Sequence, residues 1–530
     1  MTVLKKYSAG IILTFIFIFH VGVNYLIMKQ SSLIHVFDEG HRVIAALEFS
    51  EMMSMPIGNA AGAVFLKFKC LDVGQGHPHL FELVEACVWQ LLVKVGVEDI
   101  EGMILIVNAG YMLILLWSTF GIGRIIYDKR AGLLAAFLLS MFPLVFGLSR
   151  QVMLDFPLMC MVTLSIYFLF KTNQFVSRRY SILFGLTFGL AQLTKEAAVI
   201  FIAVPLIYYF IKACFSGCGK RGAVNFFIAM MVFIVVSSVV FLDINNLKAL
   251  GLYMAKLNMD HRLPFVYYFK EFWGMAGPYG MVVVVFAFIS YCVHIRQREW
   301  FLFIWSMGLL LLFSFCTNKI LRFIVPIAPA VALIVAGELV LVRSVVLRRV
   351  YVLGVILIVL MQYVACNTGY ILSRENFLFE KGQWMVERDG YWKVVHELLL
   401  FFKQEGIRQG SVMSFLNNPS INHALALQFS LSRWKDGSVQ LALTWPAEWD
   451  EAMMVSLKKK DWEERVLDFD YVLMSDRETY VKRMPEENQL SKELKDIFLK
   501  HKEGFSKIAS MDMGDGAYLE VYRKVKSDEK

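Results

Sequence analysis

The sequence predicts a polytopic α-helical membrane domain followed by a soluble α/β domain. Three observations carry that expectation. Of the 530 residues, 57% are hydrophobic and only 18% charged, with mean hydropathy +0.56, a balance typical of chains that dissolve in lipid. Apolar runs near the roughly 20 residues needed to span a bilayer recur as far as Leu372. Beyond that point charged residues become frequent and the apolar runs shorten. The expected division is therefore a membrane domain over 1–371, including a long outer loop at 31–102, and an extracytoplasmic α/β domain over 372–530.

The opening run through Ile27 has Lys5 and Lys6 before it and no small-residue cleavage site after it, so it reads as a span, not a removed leader. The net charge of +8 and pI near 8.9 do not form a nucleic-acid patch, because the cations sit in short loops. Lys5/Lys6, Arg124/Lys129/Arg130, Lys171/Arg178/Arg179, Lys212/Lys220/Arg221, Arg296/Arg298 and Arg343/Arg348/Arg349 recur at every second turn of the hydropathy pattern. The positive-inside rule makes these loops cytoplasmic. Spans then fall at 8–29, 103–122, 131–148, 156–171, 181–194, 196–211, 223–242, 279–294, 300–316, 323–341 and 350–371, about eleven in all, with the N-terminus inside and the C-terminus outside. That topology collects Asp38 and Glu39, His77, Arg150 with Asp155, Lys195 with Glu196, and Lys319 with Arg322 on the outer side.

The acidic loop 31–102 is too long for a connector, and loops of that length usually carry function. A helix is expected over 40–53, with Asp38 near its N-terminus either as a cap or as a working carboxylate, since adjacent carboxylates at the lip of a span are costly near lipid. A second helix follows from Leu80, Leu83, Val84, Cys87, Val88, Leu91, Leu92 and Val95, whose i, i+3, i+4, i+7 spacing suits the membrane interface. Between them, Gly74, Gly76 and Pro78 mark a turn. Its His77 and His79 are candidate metal ligands or part of a polar loop, since His-Pro-His alone does not fix a zinc site.

Asp155, with Pro157 behind it in the first helical turn, has two readings: a salt bridge to Arg150, or a functional carboxylate. Lys195 and Glu196 either neutralise each other or offer a phosphate anchor. The basic and aromatic stretch 243–277 reads as a membrane interface. Lys319 and Arg322 are expected on one helix face, with Pro326 and Pro329 bending that helix around a cavity. In the C-terminal domain strands are expected near 411–415, 438–444, 470–474 and 517–522, and helices near 391–404, 446–459 and 488–501. Among the cysteines only Cys70 and Cys87 share an outer loop, and their spacing does not by itself make a disulfide. No Walker loop, dinucleotide fingerprint or serine elbow occurs.

The order of these features resembles the GT-C membrane glycosyltransferases. Asp38-Glu39 follows the first span, Gly76-His77-Pro78 precedes an amphipathic helix, and Arg130-Ala131-Gly132, Asp155, Leu193-Thr194-Lys195 and Lys319…Arg322…Pro326…Pro329 come in sequence. The chain looks closest to glycosyltransferase family 39, the branch of protein O-mannosyltransferases and aminoarabinose transferases. The resemblance implies transfer of a sugar from a polyprenyl-phosphate donor to a lipid, glycan or protein acceptor on the outer face, with inversion. It also implies Asp38 as general base or acceptor-positioning carboxylate supported by Glu39, Asp155 as a second acidic position, and Lys195, Lys319 and Arg322 near the donor phosphate. Arg42 stands where the family often has an aromatic residue, and His77-Pro78-His79 where it has Pro-Pro or Lys-Pro-Pro, so Arg42, His77 and His79 bear on acceptor or metal. A divalent ion bridging Asp38, Asp155 or His77 to the phosphate is an open expectation. The rival expectation is a transporter or lipid flippase, which also keeps charges among its spans.

Overall fold

The computed structural model describes residues 2–30, 37–71, 77–97, 99–215, 219–248, 250–251, 263–294, 300–316, 319–368, 391–407, 409–414, 440–444, 469–475, 495–512 and 518–525. Two compact units emerge: Met1–Gln30 with Phe49–Val386, and Ser31–Glu48 with Glu387–Lys530. The expected boundary at 371/372 compares with a division at 386/387, and the segment that carries Asp38 groups with the second unit.

Helices form where the apolar runs stand: α1 Thr2–Gln30, α2 Phe37–Met53, α3 Ile57–Phe68, α4 Leu80–Lys94, α5 Ile100–Ile126, α6 Lys129–Ser140, α7 Pro143–Leu148, α8 Asp155–Lys171, α9 Arg178–Thr194, α10 Ala198–Phe215 and α11 Gly219–Phe241. Short helices α12 Tyr267–Glu271 and α13 Trp273–Ala276 lead into α14 Pro278–Val293, followed by α15 Trp300–Phe303 and α16 Leu309–Ser314 joined through a π turn, then α17 Ala328–Leu341 and α18 Val345–Thr368. Among the described residues, six helical stretches are long and apolar enough to cross a membrane: Ala9–Met28, Ile100–Ile126, Ala198–Phe215, Gly219–Phe241, Leu321–Leu341 and Val345–Asn367. A 112° bend between Tyr267–Ala276 and Pro278–Val293 makes a seventh if that pair is one span. Shorter apolar helices stand at the remaining expected positions. The expected single run 131–148 is two helices, because Pro143 lacks an N–H and drives Phe142 to an extended ψ of 128°.

Small residues set the inner packing. A side chain at Gly123 or Gly132 would collide with the facing helix, so α5 and α6 approach backbone to backbone. Helix α17 is buried from Ala328 through Glu338, as expected of a helix apolar on all sides at the centre of a bundle. By contrast α1 and α11 leave Phe15, Ile18, Phe227 and Met231 exposed, surface that only lipid would cover. At the bend, Gly277 has φ 77°, and Gln362 fills the space a side chain would need. The Gln362 carboxamide accepts from Tyr279 N and Gly280 N and donates to the Ala276 carbonyl, which caps α14.

In the second unit α19 covers Tyr391–Gln404, as expected, and strands β1 Gln409–Ser414, β2 Gln440–Thr444, β3 Tyr471–Ser475, β4 Phe505–Asp512 and β5 Tyr518–Lys524 form one sheet in the order β2-β1-β3-β5-β4. β1 runs parallel to β2 and β3, and β5 antiparallel to β3 and β4. Met413, Val472, Met474, Ile497, Phe498, Phe505 and Tyr522 form its core. β4 was not expected: it is an edge strand in which Phe505, Ile508, Ala509 and Met511 do not alternate strictly with its polar residues. The expected helix 446–459 lies outside the described residues, and that at 488–501 is described, as helix, only over 495–500.

Candidate active site

Four segments distant in sequence converge at one end of the first unit. Helix α8 begins with Asp155, and Pro157 sits in its first turn, where no intrahelical donor is needed. Helix α9 stops at Thr194 because Lys195 adopts an extended conformation (φ −157°, ψ 136°). That turn brings Lys195 Nζ to 2.8 Å from Asp155 Oδ1. Arg322 lies on a 3-10 turn, Leu321–Ile327, with Nε 3.7 Å from Asp155 Oδ2 and Nη1 donating to Met153 Sδ at 3.0 Å. The Phe323 ring lies 5.2 Å from the Lys195 ammonium and 5.8 Å from the Arg322 guanidinium, where its π face favours both cations. Glu196, in the turn before α10, faces His77 with Oε2 2.6 Å from Nδ1.

Asp155, Lys195, Glu196 and His77 are all buried. Two carboxylates therefore meet two permanent cations and an imidazole away from bulk water, where each charge is stabilised mainly by the others. Both carboxylates stand at helix ends. Burial pushes the Asp155 carboxyl up, but Lys195 and Arg322 outweigh it and hold it below the ordinary range. Burial likewise raises Glu196, and His77 more than reverses the effect.

Neither local pair imagined from sequence forms. Lys195 turns to Asp155 and Glu196 to His77, and Arg150 bonds to Asn24, with Nε donating to Oδ1 at 2.8 Å. Lys319 precedes the 3-10 turn and is separated from it by the extended Ile320, so it shares no helix face with Arg322. Its ammonium donates to the carbonyls of Leu263, at 2.9 Å, and Cys316. His79 lies apart from the ion cluster, Nδ1 4.0 Å from Glu82 Oε2. Arg42 is buried on α2. Asp38 and Glu39 occupy the first turn of that helix, and their side chains lie outside the described residues. Sequence reasoning missed Phe323 and Met153, which carry no charge, and it misdirected Glu196 to its neighbour. Leu91 and Val95 of the apolar stripe are exposed, as expected of a helix at the membrane interface, while Glu82 and Glu85 are buried. Cys70 and Cys87 are free thiols.

No set of three or more His, Cys, Asp or Glu side chains is arranged to hold a metal among the described residues. Asp155 already faces two cations, which makes it a poor metal ligand.

The profile of the family "dolichyl-phosphate-mannose-protein mannosyltransferase" matches residues 78–242. No curated protein matches the sequence. Among solved structures, ArnT from Cupriavidus metallidurans bound to undecaprenyl phosphate aligns over 97% of this chain and 98% of its own, with TM-score 0.59 and 12% identity. The archaeal oligosaccharyltransferase AglB from Archaeoglobus fulgidus, in complex with an inhibitory peptide and a dolichol-phosphate, covers 99% of this chain and 75% of its own (TM-score 0.55, 12% identity). An A. fulgidus oligosaccharyltransferase complex with Zn and sulfate aligns at TM-score 0.54, 12% identity, over 87% of this chain and 67% of its own. Over the 78–242 match and these nearly full-length alignments, the chain is an integral membrane protein with the GT-C fold of the membrane glycosyltransferases.

Proposed function

We propose that the protein is a glycosyltransferase that moves a sugar from a polyprenyl-phosphate-linked donor to a lipid, glycan or protein acceptor, with inversion. The observation that carries the reading is the buried Asp155–Lys195–Arg322 constellation at helix ends, set in a fold whose similar structures hold undecaprenyl phosphate or a dolichol-phosphate.

In this reading the acceptor hydroxyl loses its proton to Asp38, assisted by Glu39, as its oxygen bonds the anomeric carbon. The bond from that carbon to the lipid phosphate breaks, and its electron pair leaves on the phosphate oxygen. Lys195 and Arg322 stabilise that charge. Lys195 has three N–H donors and gives one to Asp155, so it can hold both carboxylate and phosphate. Asp155 positions the two cations, and the Glu196–His77 pair fixes the turn beside them. Lys319 braces the Leu263 and Cys316 carbonyls that border the site, a positioning role more than a direct phosphate contact. The protein would sit in a bacterial plasma membrane, with its N-terminus cytoplasmic and the domain 372–530 extracytoplasmic.

The test is transfer of labelled sugar from a polyprenyl-phosphate donor pool in membranes carrying equal amounts of wild type, Asp38→Asn or Lys195→Met. Loss of a general base costs about 10²–10⁴-fold. Wild type that transfers beside an Asp38→Asn variant reduced by that factor supports the reading. Equal rates remove Asp38 from the mechanism, and no transfer by wild type across a broad donor panel sinks the enzyme assignment.

A further inference from the structure

A second polar cluster in the first unit joins α1, the end of α7 and α18. His20 and Asn24 are four residues apart on α1 and share a face. Asn24 donates to Ser149 Oγ at 3.0 Å and accepts from Arg150 Nε at 2.8 Å. The Arg150 guanidinium lies 5.0 Å from the Phe146 ring. Tyr363 packs edge-on against both Phe146 and His20, at 4.7 and 5.4 Å between ring centres. The groups facing the guanidinium are the Tyr363 hydroxyl, the Cys366 thiol and the His20 ring. No carboxylate among the described residues does so. Arg150 Nη2 and both ring nitrogens of His20 are buried without a hydrogen-bond partner.

This cation is unlike Lys195 and Arg322, which face Asp155. Arg150 is half-buried with its Nη2 enclosed; a guanidinium held among neutral groups is expensive, and its planar fork matches phosphate oxygens. The helices that carry the cluster turn Ile18, Leu26, Met361 and Val364 outward, so both border lipid, whose headgroups are rich in phosphate. We propose that Arg150, with His20 and Asn24, binds a lipid-borne phosphate at a site separate from the Asp155 constellation. Arg150 would make the ionic contact through Nη2, and the His20 ring would donate from one nitrogen.

The experiment is native mass spectrometry of the full chain in a maltoside detergent with dodecyl phosphate as probe. Wild type is expected to bind two molecules, Arg150→Gln one and Lys195→Met one, so failure of this site and failure of the proposed donor site are read separately. His20→Gln, a milder change, should weaken the Arg150 site three- to tenfold and serves if Arg150→Gln does not fold. Unchanged binding by Arg150→Gln, or by His20→Gln where that variant stands in, overturns the proposal. Competition by phosphatidylglycerol supports a headgroup source. Inorganic phosphate binding as tightly as dodecyl phosphate overturns the lipid-borne assignment.

Discussion

Arg150 and Asp155 stand at either end of one short loop, close enough in sequence to suggest a salt bridge, yet the fold gives them different company. Asp155 heads α8 and is met by Lys195 and Arg322 from two other segments. Arg150 turns to Asn24 on α1 and to aromatic rings. One cluster balances its charges internally and the other has a cation with no carboxylate facing it among the described residues. The difference teaches that proximity in sequence does not choose ionic partners in a helical bundle. The directions of the helices leaving the loop choose them.

The comparison breaks most visibly at Asp155. Asp155→Ala leaves Lys195 and Arg322 facing one another in a buried site, a change that costs about 3–5 kcal/mol. The expected result is a large drop in detergent melting temperature together with loss of sugar transfer. Asp155→Asn, which keeps the shape, should retain more stability than activity. If Asp155→Ala melts like wild type, the constellation is not the compensated cluster its geometry describes. Lys195→Arg preserves charge but alters reach, so it should raise the KM for the donor with a smaller effect on stability than Lys195→Met.

Glu196 offers a sharper probe because it titrates. Its folded carboxyl lies below the ordinary 4.5, so the unfolded chain takes up the proton first as pH falls. The stability it contributes is present above about pH 4.5 and is lost as pH drops through the lowered folded value. Asp155 acts in the same direction from its ordinary 3.8. Glu196→Gln should therefore melt lower than wild type at pH 7 and show a flatter decline on acidification. Parallel acid slopes for the two proteins would remove the His77–Glu196 pair from the stability of the site.

Gln362 tests packing in place of charge. Gln362→Ala removes the acceptor for Tyr279 N and Gly280 N and leaves the Ala276 carbonyl without its donor. Unsatisfied buried groups cost about 1–3 kcal/mol each, offset here where water enters. A moderate fall in melting temperature is expected, with transfer retained at lower temperature.

Much of this architecture is legible in the residues. Composition, cationic loops and hydropathy place the helices, since lipid demands long apolar runs, and the α19 range Tyr391–Gln404 coincides with the apolar period that predicts it. Asp155, Lys195 and Arg322 stand out because charges at span ends are costly. Their pairing was not legible: it depends on the extended Lys195 and on the 3-10 turn that separates Arg322 from Lys319. The apolar stripe of α4 turns Leu91 and Val95 outward, as a helix at the membrane interface would, but the stripe does not reveal that Glu82 and Glu85 are buried. β4 escaped notice because an edge strand needs only one apolar face.

The smallest effect is expected from the ion pair with the shorter separation. In the second unit Lys507 Nζ lies 2.5 Å from Glu520 Oε1, with the lysine side chain 44% exposed, whereas the buried Lys195–Asp155 pair spans 2.8 Å. If distance governed the energy, the sheet pair would matter more. Water governs instead: exposed charges are already well solvated, are screened by salt, and lose side-chain freedom when they pair. Lys507→Ala in the full chain should leave the melting temperature of the second unit unchanged within error at low and high salt alike. A clear, salt-dependent drop would mean that the β4–β5 edge is drier than its exposure indicates, and would narrow the contrast between the solvated pair and the buried one.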